Sequence, residues 1–104
     1  MGELKAKLLA AAKPRTAKVA IDGDQFTVRE VSAMAFAEYG ELQRTDRLRA
    51  TAALLADCVV DEKGGRLLTV EEALTVVHSA RVSMLLVNAI LEVSGFSEKE
   101  PDAG

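Results

Sequence analysis

The chain has one cysteine, Cys58, no tryptophan, one tyrosine and three phenylalanines in 104 residues. A lone cysteine excludes an internal disulfide and any zinc site built from several cysteines. So few aromatic rings exclude a stacking platform for single-stranded nucleic acid. No uninterrupted apolar run exceeds five residues, the longest lying at 8–12, 33–37 and 52–56. About 20 are needed to cross a bilayer, and a secretory apolar core needs about 7–15. These absences read together as a protein of an intracellular, reducing compartment, with no membrane partner.

The composition is that of an ordinary globular domain, 49% hydrophobic and 28% charged. A chain of this length buries roughly 65% of its unfolded surface, enough for one modest core, here aliphatic. The net charge of −3 hides an asymmetry. Lys5, Lys7, Lys13, Arg15 and Lys18 face a single acid, Glu3, in the first 18 residues, whereas the remainder has eight basic and fifteen acidic side chains. A basic arm on an acidic body is either a solvated segment or a contact for nucleic acid or an acidic partner.

Residues 3–12 are good helix formers, with Leu4, Leu8, Leu9, Ala11 and Ala12 in a stripe. Pro14 stops this helix, which either docks on the body or frays. Val19, Ile21, Phe26 and Val28 flank Asp22-Gly23-Asp24, a strong hairpin signal. A calcium loop starting at Asp22 would need glutamate where Ala33 stands. Thr27 to Glu30 reads as a capping box opening a helix to about residue 44, with Val31, Met34, Ala35, Glu38 and Leu42 along one stripe. Asp46 caps a helix over about 47–57, whose inner face is Leu48, Ala52, Leu55, Ala56 and Val59, and Arg44, Arg47 and Arg49 cluster at the junction. Residues 58–68 read as a second, smaller hairpin turning at Gly64-Gly65. Thr69 and Glu72 form another capping box, for a helix over about 70–78 that presents Val70, Ala73, Leu74 and Val77. After a break near Ser79, a last helix over about 80–94 carries Val82, Leu85, Leu86, Ala89, Ile90 and Val93 on one broad face. Gly95 suits its left-handed cap, with Phe96 folding back.

The predicted fold is therefore mainly α within the α+β class: a small helical domain of four to five helices with one or two short β-hairpins. The predicted organisation is a basic N-terminal helix or arm over 1–17, a single helical domain over 18–96 and a disordered polar tail over 97–104.

No reactive set emerges. His78 is the only histidine, its neighbour Ser79 points away at adjacent helical spacing, and Cys58 with His78 lacks a third orienting group. Cys58 reads as a small hydrophobe and His78 as a partner for a helix dipole. Glu71, Glu72 and His78 lack the second histidine of a familiar metal site, and Asp57 with Asp61 at i, i+4 reads as a solvated face. Gly64-Gly65 lacks the Lys-Ser/Thr of a phosphate loop. The last two helices have a helix-turn-helix outline, but residues 82–93 hold no Lys or Arg to read DNA. The reading is no enzyme, no metal, no cofactor, no small-molecule substrate and no nucleic acid. In that last helix only Ser83, Asn88 and Glu92 are polar, and Met84, Val87 and Leu91 lie off the core face. Either the domain covers this helix on all sides, or a partner or a second copy covers Met84, Val87 and Leu91. Self-association through the C-terminal helical pair follows as an expectation.

The order of segments is itself informative. A Lys-rich helix ends in AAAKPRT, a β segment reads KVAIDGDQFTVRE, an Ala/Leu-rich helix closes on LADCVVDEKGGRLLT, and an EEA helix precedes an apolar helix closing on LEVSGF. This pattern, over about residues 3–96, resembles the tail assembly chaperones of long-tailed, siphovirus-type bacteriophages and prophages. The resemblance implies a non-enzymatic protein of virion morphogenesis. It would bind the tape measure protein in the host bacterial cytoplasm, give way as major tail protein polymerises, and be absent from the mature virion. A longer frameshifted form is common in that family, and the polar tail is a tolerant place for such a fusion. The alternatives are a structural tail or head–tail joining protein retained in the virion, and a small DNA-binding regulator using the basic arm. Steep salt dependence of DNA affinity would mark the latter.

Overall fold

A computed structural model describes residues 2–96. The tail assigned to 97–104 lies outside the described residues. The chain folds, as expected, into an α+β domain rich in helix. The order is α1 (Gly2–Ala11), β1 (Thr16–Ile21), β2 (Asp24–Arg29), α2 (Ala33–Gln43), α3 (Arg47–Cys58), β3 (Val59–Val60), α4 (Val70–Val77) and α5 (Ala80–Val93). The three strands form one antiparallel sheet in the order β1-β2-β3.

The hairpin forms where the sequence places it. Ile21 pairs with Asp24, leaving Asp22 and Gly23 as a two-residue turn with φ of 52° and 90°. Two successive left-handed residues match the strand twist, and Asp-Gly tolerates them well. Alternation then sends Ala17, Val19, Ile21, Phe26 and Val28 to one face, where α5 packs across the sheet. α3 is the central helix, with Ala50, Ala52, Leu54, Leu55, Ala56 and Cys58 buried between α2, α4 and the sheet. Three alanines among these let neighbouring backbones approach, as a core with few aromatic rings requires.

The capping box assigned to Thr27 does not exist. Thr27 lies within β2, paired with Lys18 on one side and Val60 on the other. The register set at Asp22-Gly23 carries the strand to Arg29, so Val28 enters the core, fully buried. Glu30 stays at the sheet margin: its carboxylate accepts from the Arg15 amide at 3.0 Å, and its own amide donates to the Arg15 carbonyl at 2.8 Å. α2 begins five residues later under Ser32, whose hydroxyl accepts from the Ala35 amide. The later start also turns the helix. Ala35, Tyr39 and Leu42 face inward, while Met34 and Glu38, predicted on the inner stripe, are exposed.

The second hairpin is smaller than predicted. Val59 and Val60 pair with Val28 and Thr27 of β2 instead, and a single bridge joins Val60 to Arg66. The turn is built by Asp61, whose carboxylate accepts from the amides of Lys63 at 2.8 Å and Gly65 at 2.9 Å. Thr69 and Glu72 make the predicted capping box, with both reciprocal bonds present. Asp46 caps α3 through the Arg49 amide. Ser79 caps α5, which leaves α4 at a bend of 116°.

On α5 the buried line is Ser83, Leu86 and Ile90, and Leu85, predicted to fill the core, is exposed. The helix is rotated so that the small Ser83, not Leu85, meets its neighbours. Leu48, predicted on the inner face of α3, is likewise exposed. α5 ends as expected: Gly95 has φ of 87°, its amide donates to the Glu92 carbonyl, and the Phe96 amide donates to the Leu91 carbonyl at 2.7 Å.

α1 forms, and none of its residues is buried. The radius of gyration is 14.8 Å, with extents of 48, 31 and 27 Å. A compact chain of this length has a radius near ~13 Å, so the difference fits an arm standing off the body.

Candidate functional site

The polar side chains singled out in the sequence are largely committed to holding the fold. Asp57, at the end of α3, is mostly buried and lies between two guanidiniums. Arg66 approaches its Oδ1 at 3.0 Å and Arg29 at 3.5 Å, while Arg29 Nε donates to the Asp57 carbonyl at 2.9 Å. These contacts pin β2 and the segment after β3 to the C-terminus of α3, where the helix dipole also favours positive charge. Asp61 is spent on its own turn. Asp57 and Asp61 therefore each serve a separate structural task. Arg81, at the start of α5, makes a two-pronged contact with Asp22 at 3.1 and 3.3 Å, tying that helix to the hairpin turn.

Cys58 is fully buried, and desolvation pushes its thiol up to about 12, with the neighbouring Asp57 carboxylate adding to the rise. A thiol held protonated is a poor nucleophile. His78 is exposed at the C-cap of α4, and among the described residues no hydrogen bond joins it to Cys58. Glu71 and Glu72 lie in the first turn of α4, where the Glu72 carboxylate accepts from the Thr69 amide and completes the capping box. No group of three or more potential metal ligands occurs among the described residues.

What the surface offers is apolar. On α5, Met84 is 60% exposed and Leu85 is exposed beside it. Leu91 is half-buried, and Val87 packs against the core. The three residues picked from sequence thus form a line running from open surface at Met84 to the core margin at Val87. A second patch was not anticipated as a unit. Of four aromatic rings, three gather on one side of the molecule: Phe36 stacks on Phe96 at 5.0 Å, and on Tyr39 at 6.5 Å. Ser94 Oγ accepts from the Val31 amide at 3.0 Å and holds the end of α5 against the start of α2, which brings the rings together. Phe36 and Phe96 remain exposed. The fold-back of Phe96 was legible in the sequence, but not the ring it would meet. A third patch is α1, with Leu4 74%, Leu8 70% and Leu9 62% exposed.

Among the described residues no single helix is long and apolar enough to cross a membrane. The described surface thus combines polar groups engaged in holding the fold with three exposed apolar patches. Neither a family model nor a curated protein matches the sequence. Its structure, however, is similar to that of a phage tail assembly chaperone, the class the order of segments resembles. One similar solved structure is the tail assembly chaperone of bacteriophage HK97, with a TM-score of 0.59 and 26% sequence identity, covering 85% of this chain and 92% of that one. The resemblance to the tail assembly chaperone family is thus borne out in three dimensions, and the match supports that role for this chain.

Proposed function

We propose that this chain is a non-enzymatic chaperone of phage tail assembly. It binds the tape measure protein, and major tail protein as the tail forms, in the host cytoplasm, and leaves before the virion is complete. The observation that carries the reading is the structural similarity to the HK97 tail assembly chaperone over nearly the whole of both chains. The surface supplies a physical basis. Long coiled-coil proteins expose apolar seams before assembly, and a binder must offer aliphatic anchors to cover them. Met84, Val87 and Leu91 form the anchoring line, with the flexible thioether of Met84 at its exposed end suited to varied seams. The acidic body beyond residue 18 keeps such complexes apart by mutual repulsion.

Co-expression with the tape measure protein of the same phage is expected to raise its soluble yield and to give a complex that co-purifies. Met84→Asp is expected to abolish the gain without unfolding the chaperone, because the side chain is exposed. Leu91→Asp tests the half-buried end of the same line. If Met84→Asp leaves the gain intact, the anchoring line is wrong. If the wild type neither raises the yield nor co-purifies, the chaperone reading itself fails.

A further inference from the structure

The sheet has two edges of unequal character. At β3 the edge is two residues long and already taken: Arg66 bridges to Val60, and the Leu67 amide donates to the Val59 carbonyl at 3.2 Å. At β1 the edge is six residues long, in unbroken register with β2 and free of proline. Native sheets usually blunt such an edge by shortening, bulging or covering it. Every residue of α1 is exposed, so the arm does not cover this one.

The direction of each backbone group in β1 follows from the ladder. Successive pairs across antiparallel strands alternate between those that exchange hydrogen bonds and those that do not. The Glu30 amide donates to the Arg15 carbonyl at 2.8 Å, which fixes the alternation. Ala17, Val19 and Ile21 share the parity of Arg15 and bond to β2. Thr16, Lys18 and Ala20 therefore turn their amides and carbonyls outward, about 6.7 Å apart along the strand. Among the described residues no other backbone group bonds to them.

We propose that β1 is the docking edge for an extended, acidic segment of a partner protein, which joins the sheet as a fourth strand. Only an extended backbone presents donors and acceptors at the two-residue spacing that these outward groups need. The charge of the segment follows from Lys13, Arg15 and Lys18, all exposed, which line the edge and the chain leading into it. Among the described residues none of the three forms an ion pair. A second copy does not fit. Pairing β1 with β1, antiparallel about Lys18 or parallel in register, sets the two Lys18 ammonium groups against each other, and like charges directly opposite are destabilising. The proposal does not rest on the chaperone reading, because it draws only on the backbone and charge of β1.

Amide hydrogen exchange of the isotope-labelled chain, read by NMR, tests it with capped eight-residue peptides as probes. A peptide alternating valine with glutamate, at about ten times its measured Kd, is expected to slow exchange at Thr16, Lys18 and Ala20 by about tenfold. A peptide alternating valine with lysine, and the acidic peptide N-methylated at every residue, are expected to leave those amides unchanged. Lys18→Glu is expected to weaken binding of the acidic peptide by about tenfold or more and to admit the lysine peptide. Lys18→Pro removes an outward amide while sparing the bonds to β2, as proline on an edge strand does, and is expected to abolish binding with the hairpin intact. Should that variant fail to fold, Lys18→Glu decides. No slowing by the acidic peptide at millimolar concentration overturns the proposal. Equal slowing by either control peptide overturns it too. Edge amides already slow in the free chain, as pairing with a second copy would give, also overturn it.

Discussion

At the scale of single residues, charge and burial concentrate at the end of α3. Asp57 serves two arginines at once, so Asp57→Ala removes two charge-assisted contacts and leaves the half-buried Arg29 with the backbone carbonyl of residue 57 but no carboxylate to balance its charge. A loss of about 1–3 kcal/mol is expected by denaturant titration, on the usual worth of hydrogen bonds to charged groups. Cys58 beside it is held as a thiol. In the unfolded chain it ionises near 9.0, and in the folded protein only near about 12. Its burial therefore stabilises fully below pH 9.0. Between the two values the unfolded state gives up its proton while the folded state keeps it, so stability falls as pH rises. The expected outcome is a native thiol that resists alkylation at neutral pH and reacts on unfolding. Cys58→Ala is expected to show a shallower alkaline loss of stability than the wild type, whatever its offset at pH 7.

At the scale of elements, the capping residues decide where helices begin. Ser32→Ala and Thr69→Ala are each expected to cost about 0.5–2 kcal/mol, because each hydroxyl satisfies an amide that the first turn leaves unpaired. Thr27→Val is expected to cost nothing of that kind: Thr27 caps no helix, and a β-branched residue suits its place in β2. A comparison of the three variants by thermal unfolding separates the two segmentations. The Thr69 box was legible because its two reciprocal bonds are local and no strand competes for it. The same residue pattern at Thr27 to Glu30 is overridden by a hairpin already set in register at Asp22-Gly23, five residues before Thr27. Local capping chemistry is worth about a kilocalorie, whereas burying Val28 completely is worth more, roughly 1.5–3 kcal/mol.

At the scale of the whole molecule, the arm and the body behave as separate parts of one surface problem. The connection between α1 and β1 carries an exposed Arg15 followed by Thr16, whereas the bond after Lys13 leads into Pro14 and is spared by trypsin. Limited trypsin digestion is expected to cut there first and to leave the body intact, with the fragments read by mass spectrometry. The same body presents Met84 and Leu85 exposed on α5.

Much of this protein follows from short stretches of sequence. The aliphatic core, the Asp22-Gly23 turn, the caps at Asp46 and Thr69, the break at Ser79 and the Gly95 terminus all rest on interactions within a few residues, and periodicity alone reveals them. The order of those segments also carried the likeness to tail assembly chaperones that the fold bears out. Rotations and partners are another matter. That Leu85 and Leu48 face outward while Ser83 faces inward depends on which element packs opposite, and apolar patterning cannot distinguish the two sides of a helix that is apolar nearly all round. The pairing of Val59 and Val60 with β2, the two arginines around Asp57 and the stacking of Phe96 on Phe36 each join residues far apart in the chain. Such contacts come into being only when the helices and the sheet close on one another, because nothing in the local chain favours them.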